Sequence, residues 1–259
     1  MKEILKQGVI SKLAGGDTNH TFLLQYENKK YILRKFSNEA TADYYVKLCK
    51  RLYKYGFLPK VYYKSGKEVI FEYINGRDCK DEDASKVAFQ IGKICGIINR
   101  INSKDKYDPD KRFFSYTKDL RKNNLLTKKE AFIVNKTYNL LKKKNKPVIK
   151  MDANDVYPQN FRIRKGKVYL VDIEAMKPMF KGFGVAKSFI KWFKKSNKQE
   201  EVKRGYKSIN PINFLTSEYL TFLYLNYLMR SIAIKIRLKI ELNYKHIKKL
   251  KLLINESKK

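Results

Sequence analysis

Residues 148–176 read VIKMDANDVYPQNFRIRKGKVYLVDIEAM, and this stretch decides how the rest of the chain is interpreted. Within it, Asp155 is followed five residues later by Asn160, and a short apolar run ends at Asp172. A loop with Asp-x4-Asn, followed by a strand that ends in Asp, is typical of phosphoryl-transfer sites. One carboxylate can accept the proton of an attacking hydroxyl, while the Asn oxygen and the second carboxylate suit Mg²⁺, which prefers hard oxygen ligands.

The same residues also fit a simpler interpretation. Asp155 and Asn160 flank Pro158, and Asx side chains often close turns by bonding their own backbone. For the pair alone, that outcome is the more common one. The turn Arg164-Lys165-Gly166-Lys167 is predicted to join two adjacent strands, which would bring Asn160 and Asp172 close together. The choice between the two interpretations depends on the rest of the chain.

The amino-terminal third is predicted to form a small β-sheet with one helix. β-branched and aromatic residues occur there in short runs separated by turn signals. Apolar residues recur at helical spacing from Asn38 to Tyr55, and Gly56 ends this helix. The predicted strands are residues 8–13, 20–26, 30–36, 60–63 and 68–74.

A glycine-rich stretch, LAGGDTN at residues 13–19, lies between the first two predicted strands. Glycines let backbone N–H groups approach phosphate oxygens without a side chain in the way. The candidate nucleotide contacts in this stretch are Gly15, Gly16, Thr18 and Asn19. An ordinary hairpin turn is the alternative.

Two further candidate nucleotide sites follow. Arg34 ends the strand YILR, where a cation can pair with phosphates, and either Asp43 or Glu39 is expected to orient it. A surface arginine on an edge strand is the alternative. The backbone groups of Glu72 and Ile74, in VIFEYINGRD, are candidate hydrogen-bonding partners of adenine.

Beyond residue 78 the chain is predicted to be mainly helical. Residues 81–101 and 128–144 have helical spacing, whereas residues 110–120 are left unassigned. Residues 232–242 alternate apolar and charged side chains, which indicates a strand, but their surroundings favour a helix. We therefore expect an α+β chain with a strand-rich nucleotide-binding lobe at 1–73, a hinge at 74–78, and a larger helical lobe at 79–259 for catalysis and substrate binding.

Taken in order, these features resemble the aminoglycoside phosphotransferase/choline kinase family. The resembling stretches are LAGGDTNHTF, YILRKF, FLPKVYY, VIFEYINGRD, NDVYPQNFRIRKGKVYLVDIEA and KGFGVAKSFIKW. They span most of residues 11–192, and the part from 154 to 192 looks most like choline and ethanolamine kinases. The resemblance implies a protein-kinase-like two-lobed fold and a kinase that uses ATP and Mg²⁺. It implies Asp155 as catalytic base, Asn160 and Asp172 as metal ligands, and Arg34 as a phosphate contact.

The chain departs from the family pattern at several positions. Ala153 replaces the usual His, so the loop is expected to be supported differently. Gly184 and Lys191 match positions where choline kinases carry carboxylates for a cationic substrate. A lysine at such a position, with Lys187 nearby, repels a cation. We expect a neutral or anionic alcohol, such as a sugar or a lipid-linked glycan, with Glu174 helping to position it; choline or ethanolamine is the alternative acceptor.

The formal net charge of +33 allows two interpretations. It can reflect a lysine-rich proteome, or it can indicate an anionic partner. Residues 173–259 contain 20 Lys and Arg against 6 Asp and Glu. A non-catalytic kinase-fold module that binds nucleic acid or acidic membrane is therefore an alternative, as is a kinase held at an anionic membrane surface. The sequence contains no recognised nucleic-acid-binding motif, so nucleic acid is not the expected partner.

Cysteine usage and hydropathy predict a cytoplasmic protein. Cys49, Cys79 and Cys95 are odd in number and lack metal-ligand spacing, so they are interpreted as reduced core thiols. The first residues contain no apolar stretch long enough for a signal peptide. The most apolar segment, residues 219–229, is too short to cross a bilayer. The oligomeric state is not predicted.

Overall fold

The computed structural model describes residues 2–13, 20–102, 108–210, 215–242 and 244–256. The helices are α1 (Lys2–Gln7), α2 (Glu39–Tyr53), α3 (Ala84–Ile98), α4 (Pro109–Lys122), α5 (Lys128–Asn145), α6 (Phe183–Lys191), α7 (Ser196–Lys207), α8 (Ser217–Arg237) and α9 (Tyr244–Glu256). The strands are β1 (Val9–Lys12), β2 (His20–Tyr26), β3 (Lys29–Lys35), β4 (Val61–Ser65), β5 (Glu68–Glu72), β6 (Arg77–Asp78), β7 (Ile149–Asp152), β8 (Phe161–Arg164), β9 (Lys167–Leu170) and β10 (Lys177–Phe180). Short 3-10 turns occupy Asp81–Asp83, Pro158–Asn160 and Ile173–Ala175.

The chain divides into two compact units. Unit 1 comprises Met1–Gln90 and Tyr157–Ala175, and unit 2 comprises Ile91–Val156 and Met176–Lys259. Each unit therefore contains two separate stretches of sequence. The predicted lobe boundaries at residues 73 and 79 concern nucleotide and substrate binding, which compactness alone does not test, and they remain a prediction.

Unit 1 is built on an antiparallel five-stranded sheet in the order β1-β2-β3-β5-β4. Alternate residues of its strands bury one face, where Leu24, Leu33 and Ile70 pack with Ile4 of α1. Helix α2 begins after Asn38, whose side chain accepts the Thr41 N–H at 2.9 Å and satisfies one unpaired donor of the first turn. The predicted sheet and helix of the amino-terminal third are confirmed.

A smaller sheet in unit 1 joins β6, β8 and β9. Gly76, just before β6, has no room for a side chain, because a Cβ atom there would lie 2.3 Å from the carbonyl oxygen of Ile163. A glycine at this position lets the chain run directly against β8.

Unit 2 is mainly helical, with the two-stranded β7–β10 sheet as its only strand pair among the described residues. Helix α8 packs against α4, α5, α6 and α9 and has most of its residues buried. The rings of Phe113 and Tyr138 stack with centroids 3.9 Å apart, and Phe222 of α8 lies 5.5 Å from Tyr138. These large aromatic contacts account for much of the apolar surface that holds the helices together.

Three local differences separate the structure from the sequence-based assignment. Residues 110–120, left unassigned, lie in α4, which begins at Pro109 after the N-cap Asp108. The helix expected over 81–101 begins only at Ala84. The helix expected over residues 232–242 ends at Arg237, so its last part was wrong. Lys239 adopts a left-handed φ of 54°, and the Ile240 N–H donates to the Lys235 carbonyl at 2.9 Å, which closes the helix end.

The three cysteines are buried and free, as expected for core thiols. Burial raises the pKa of the Cys49 thiol to about 12 and that of Cys79 to about 11, so neither is a reactive thiolate at neutral pH. None of the helices in the described ranges combines the length and the apolar character that a membrane span requires.

Candidate active site

The β8–β9 hairpin of unit 1 sets the spacing between Asn160 and Asp172. Its strands pair in register from Phe161 with Leu170 to Arg164 with Lys167, and the Val171 N–H donates to the Asn160 carbonyl at 2.9 Å. Lys165 and Gly166 form a two-residue turn with φ of 50° and 74°, the geometry that matches the twist of a tight hairpin. The predicted turn is confirmed, and it places Asn160 one register position from Asp172.

Arg34 lies on β3 and joins the carboxylates that follow this hairpin. Its guanidinium donates to Glu174 Oε1 at 3.2 Å and to the Val171 carbonyl at 2.9 Å, and it lies 3.5 Å from Asp172 Oδ1. The Arg34 side chain is only 13% exposed, whereas that of Asp172 is 37% exposed. A buried, permanently charged cation is thus held by three acceptors beside a more accessible carboxylate.

The expectation that Asp43 or Glu39 orients Arg34 was wrong. Both carboxylates pair with Lys64 of β4, at 2.9 Å and 2.7 Å. The two acids are four residues apart on α2 and so share one helix face, which a single ammonium can bridge. A direct nucleotide contact by Asp43 stays a prediction.

Glu174 is paired with Arg34. Its side chain is 14% exposed, and its carbonyl accepts a hydrogen bond from the Tyr45 hydroxyl at 3.3 Å. Burial and the neighbouring Glu174 carboxylate raise the pKa of Tyr45, so this phenol remains a hydrogen-bond donor. Sequence reasoning assigned Glu174 to substrate binding, and that role stays a prediction.

Two of the backbone groups predicted to bind adenine form hydrogen bonds within unit 1. The Glu72 N–H donates to the Lys60 carbonyl at 2.8 Å, and the Ile74 carbonyl accepts the Gly76 N–H at 2.9 Å. The Glu72 carboxylate accepts from Arg164 at 3.2 Å. The adenine prediction therefore narrows to the Glu72 carbonyl and the Ile74 N–H. The other predicted nucleotide contacts, Gly15, Gly16, Thr18 and Asn19, lie outside the described residues.

Asp155 lies in unit 2, on the loop that follows β7, and buried polar groups support this loop. The Asp152 carboxylate, 1% exposed, accepts hydrogen bonds from the Asn99 side chain at 2.9 Å, the Asn154 N–H at 2.8 Å and the Gly184 N–H at 2.7 Å. Burial raises the pKa of Asp152 in spite of these donors. Asn154 adopts a left-handed φ of 46°, and its amide donates to Asp155 Oδ2 at 3.1 Å. These bonds support a loop that has Ala153 where the resemblance implies His, and a support different from the family's stays a prediction.

Two cations complete the surroundings of Asp155 within unit 2. Arg230 of α8 donates to Asn154 Oδ1 at 2.6 Å. The Lys187 ammonium contacts Asp155 Oδ1, and Lys187 is 8% exposed. Burial lowers the pKa of Lys187; the Asp155 carboxylate opposes this effect, and Arg230 and Lys191 add to it. Lys191, one turn further along α6, is half-buried, and burial lowers its pKa too.

Gly184 has no room for a side chain in this chain. A Cβ atom there would lie 2.7 Å from Asp152 Oδ1 and 2.9 Å from the Asn154 N–H nitrogen. The helix start therefore packs directly on the loop, and the match of Gly184 to a carboxylate position of choline kinases stays a prediction. The argument against a cationic acceptor depends on Lys187 and Lys191 alone.

Sequence reasoning missed Asn99, Asp152 and Arg230. Asp152 offered a signal, since an acid at the end of an apolar strand and three residues before Asp155 is unusual. Asn99 and Arg230 each end an apolar helical run, but nothing in their spacing connects them to the loop. Only the hydrogen bonds from Asn99 to Met151 and Asp152, and from Arg230 to Asn154, reveal their role.

The donor set in unit 1 fits Mg²⁺ rather than a metal held by protein alone. The described residues contain no group of three or more His, Cys, Asp and Glu side chains that could bind a metal ion. Asn160 and Asp172 supply two oxygen donors, and the Asp172 carboxylate is partly accessible. Mg²⁺ usually takes one or two protein ligands and completes its shell with waters and substrate phosphates.

The sequence matches no family model and no curated protein, so similarity is found at the level of structure. The choline kinase LicA from Streptococcus pneumoniae superimposes with a TM-score of 0.67 at 18% identity, covering 98% of this chain and 97% of that one. An ethanolamine kinase from Plasmodium vivax gives 0.68 at 14% identity, with 98% and 83% covered. A spectinomycin phosphotransferase solved with ADP and spectinomycin gives 0.66 at 14% identity, with 98% and 95% covered.

These comparisons show the fold. The chain has the α+β protein-kinase-like fold of choline kinases, ethanolamine kinases and aminoglycoside phosphotransferases, as the sequence predicted. The similarity extends over nearly the whole chain, including the mainly helical part beyond residue 192, where no resemblance in sequence was found.

Proposed function

We propose that the protein is an ATP- and Mg²⁺-dependent phosphotransferase that transfers the γ-phosphate to a hydroxyl of a small molecule. The observation that carries this proposal is that Asp155, Asn160 and Asp172 occupy supported positions in a fold shared with known kinases. Two of the similar structures were solved with nucleotides, LicA with AMP and the spectinomycin enzyme with ADP. Their nucleotides support ATP as the phosphate donor here.

Each residue has a distinct proposed role. Asp155 accepts the acceptor's hydroxyl proton as the new O–P bond forms, and the bond from the γ-phosphorus to the β–γ bridging oxygen breaks, releasing ADP. Asn160 and Asp172 hold Mg²⁺, which neutralises phosphate charge when bound. Arg34 supplies a fixed cation for the phosphates. The Glu72 carbonyl and the Ile74 N–H bind adenine.

The proposed acceptor is a neutral or anionic alcohol, with a sugar or a lipid-linked glycan as examples. The Lys187 ammonium already occupies one oxygen of Asp155, so a cationic group beside the reacting hydroxyl meets repulsion there. Choline or ethanolamine remains the alternative, supported by the activities for which LicA and the Plasmodium vivax protein are named.

The test is ADP release by purified protein with Mg-ATP and single acceptors. The panel contains choline, ethanolamine, neutral sugars, sugar phosphates, nucleosides and aminoglycosides, and the Asp155→Ala protein is the blank. Stimulation by a neutral or anionic alcohol that is lost in the blank supports the proposal. If choline is the sole active acceptor, the proposed class of acceptor is wrong. If the protein does not bind Mg-ATP, the proposed kinase activity is contradicted and a non-catalytic module is favoured.

A second proposal concerns where the enzyme works: at an anionic membrane surface. Three large apolar side chains are exposed near the end of α8 and the start of α9: Leu238 (63%), Ile240 (51%) and Tyr244 (78%). Basic residues flank them, namely Lys235, Arg237, Lys239, Lys245 and Lys248. Exposed apolar side chains amid lysines suit the headgroup boundary, where each lysine near an acidic surface adds about 1 kcal/mol.

Vesicle co-sedimentation tests this second proposal. We expect binding to vesicles that contain phosphatidylserine, weaker binding at high salt, and little binding to neutral vesicles. The Leu238→Asn/Ile240→Asn protein should lose most of the binding. Leu140→Asn is the matched control, because Leu140 is equally exposed (58%) on α5. Equal binding by all three proteins, or none by the unaltered protein, contradicts a role for these exposed side chains.

A further inference from the structure

The Lys187 ammonium of unit 2 is buried, but the carboxylate that it contacts is partly exposed. It contacts the Asp155 carboxylate, whose side chain is 32% exposed, and it lies 5.9 Å from the centroid of the Tyr227 ring. Lysine is rarely buried unless it is paired. Here its pair is the residue proposed to meet the acceptor, so anything bound to Asp155 also meets Lys187.

Several cations lie near Asp155 and Lys187 among the described residues of unit 2. Arg230 is linked to Asp155 through Asn154, by hydrogen bonds of 2.6 Å and 3.1 Å. Lys191 follows Lys187 by one turn of α6, and both Arg230 and Lys191 act on Lys187 as repelling charges. Lys187 is therefore paired with one partly exposed carboxylate and has two further cations close enough to repel it.

The neighbouring acid, Asp152, is engaged by protein donors instead of by these cations. Asp152 is buried and accepts three hydrogen bonds from protein donors, and burial raises its pKa. An arrangement with several cations at a partly exposed surface is suited to an anionic ligand.

The geometry of an alcohol acceptor places its next substituent near these cations. The reacting hydroxyl must reach Asp155 within hydrogen-bond distance. With covalent bonds of about 1.5 Å, a group on the adjacent carbon lies roughly 3 Å from that hydroxyl. Such a group therefore lies within reach of the Lys187 ammonium, which contacts the same carboxylate.

We infer that the acceptor carries an anionic group, a phosphate or a carboxylate, close to its reacting hydroxyl, and that Lys187 binds this group with support from Lys191 and Arg230. The inference rests on the proposed function and narrows its acceptor class from neutral or anionic to anionic. The competing location for the anion is the γ-phosphate of ATP.

Calorimetric titration with anion probes separates these possibilities. The probes are inorganic phosphate, glycerol 3-phosphate and glycerate, with glycerol and choline as uncharged and cationic comparisons. Each is titrated into protein saturated with Mg-ADP and, separately, with the non-hydrolysable Mg-AMPPNP, in which the γ-phosphate position is filled. We expect at least one anion to bind with both nucleotides, and glycerol and choline to give no heat.

Variants assign the anion to the lysines. Lys187→Met should weaken anion binding about ten- to a hundredfold, Lys191→Met should weaken it less, and Lys187→Arg should restore most of it. Lys136→Met, which alters an exposed lysine on α5, is the matched control and should bind as the unaltered protein does. Nucleotide affinity and thermal melting of each variant show that it is folded.

Three outcomes overturn the inference. These are binding of no anion, binding only with Mg-ADP, which places the anion at the γ-phosphate, and anion binding unchanged in Lys187→Met. Each of them leaves the proposed function standing provided that Mg-nucleotide binds. Loss of nucleotide binding in the unaltered protein contradicts the proposed function instead, so the two failures are distinguishable.

Discussion

Units 1 and 2 each hold a carboxylate beside a cation, but they do so in opposite ways. In unit 1 the Arg34 guanidinium is shared among Glu174, Asp172 and the Val171 carbonyl. In unit 2 the Lys187 ammonium contacts Asp155 while further cations stand nearby. The first cluster sets one cation against two carboxylates and a carbonyl, whereas the second sets one partly exposed carboxylate against a directly paired lysine with two further cations near it. We propose that the first cluster serves the nucleotide and that the second meets an incoming anionic ligand.

The largest expected effect comes from the carboxylate of unit 2. Asp155→Asn should lower the turnover number about 10²- to 10⁴-fold, because an amide cannot accept the hydroxyl proton. Nucleotide affinity should change little. Rapid-mix measurement of ADP formation, combined with calorimetric nucleotide titration, checks both statements. Undiminished turnover would remove Asp155 as the base.

Replacing Arg34, the cation of unit 1, should mainly impair the use of ATP, whereas replacing Asp155 mainly impairs turnover. Arg34→Met leaves Glu174 and Asp172 without their shared partner and removes a phosphate contact, so kcat/KM for Mg-ATP should fall about a hundredfold. Arg34→Lys should recover part of this loss, since it keeps the charge but not the forked geometry. A fall in affinity for the acceptor instead of ATP would contradict the assignment of this cluster to the nucleotide.

The packing of unit 2 beneath Asp155 can be disturbed without touching a charged group. Gly184→Ala pushes a Cβ atom against Asp152 Oδ1 and the Asn154 backbone, and should cost about 1–3 kcal/mol of unfolding free energy while also lowering turnover. Gly66→Ala is the comparison: its φ of 52° is strained for alanine, but its surroundings are open. Chemical denaturation measures the loss of stability in both variants, and a turnover assay measures the effect on catalysis. Equal turnover in the two variants would contradict a role for Gly184 in supporting the Asp155 loop.

The smallest expected effect is a change of unfolding free energy with pH, which differs between the two units. His246 packs between Tyr227 and Ser231, and burial, with Lys191, Lys249 and Lys235 nearby, lowers its pKa to about 4. The unfolded chain therefore binds more protons than the folded chain between pH 6.5 and 4, so stability falls as pH falls through this window. The loss attributable to His246 should be about 1–3 kcal/mol.

In unit 1, by contrast, Arg77 holds the pKa of Asp83 at about 2. Its contribution to stability is lost only as pH falls from the ordinary value of 3.8 towards 2, outside the window of His246. Denaturant unfolding at several pH values, with His246→Gln as the comparison, measures the difference. If His246→Gln does not flatten the dependence between pH 6.5 and 4, the assignment fails.

Local patterns were sufficient where the chain makes its own structure. The β8–β9 hairpin follows from the turn residues Lys165 and Gly166 between two apolar runs, and it was predicted with its consequence for Asn160 and Asp172. The apolar face of α2 was equally readable from its spacing. The end of α8 was not, because alternating isoleucines beyond residue 232 give no sign of the left-handed turn at Lys239.

Partners distant in sequence escaped prediction for a different reason. Asp43 looked as suitable for Arg34 as Glu174 did, since both are acids near the expected nucleotide site. Asp43 pairs instead with Lys64, which lies 21 residues further along the chain on a strand beside α2. Likewise, no local pattern shows that the atoms around Gly184 leave no room for a side chain.

The sequence by itself determined the fold, most of the strands of unit 1 and several helices, and the identity of the proposed reacting residues, because turn chemistry, periodicity and short motifs are local properties. The tertiary structure alone decided which cation faces which carboxylate. Ion pairs and buried hydrogen bonds join residues 30 to 140 positions apart, such as Asp155 with Lys187 and Arg34 with Glu174, and no local pattern encodes them. The selectivity that we propose for the acceptor therefore comes from packing rather than from the motif that reveals the chemistry.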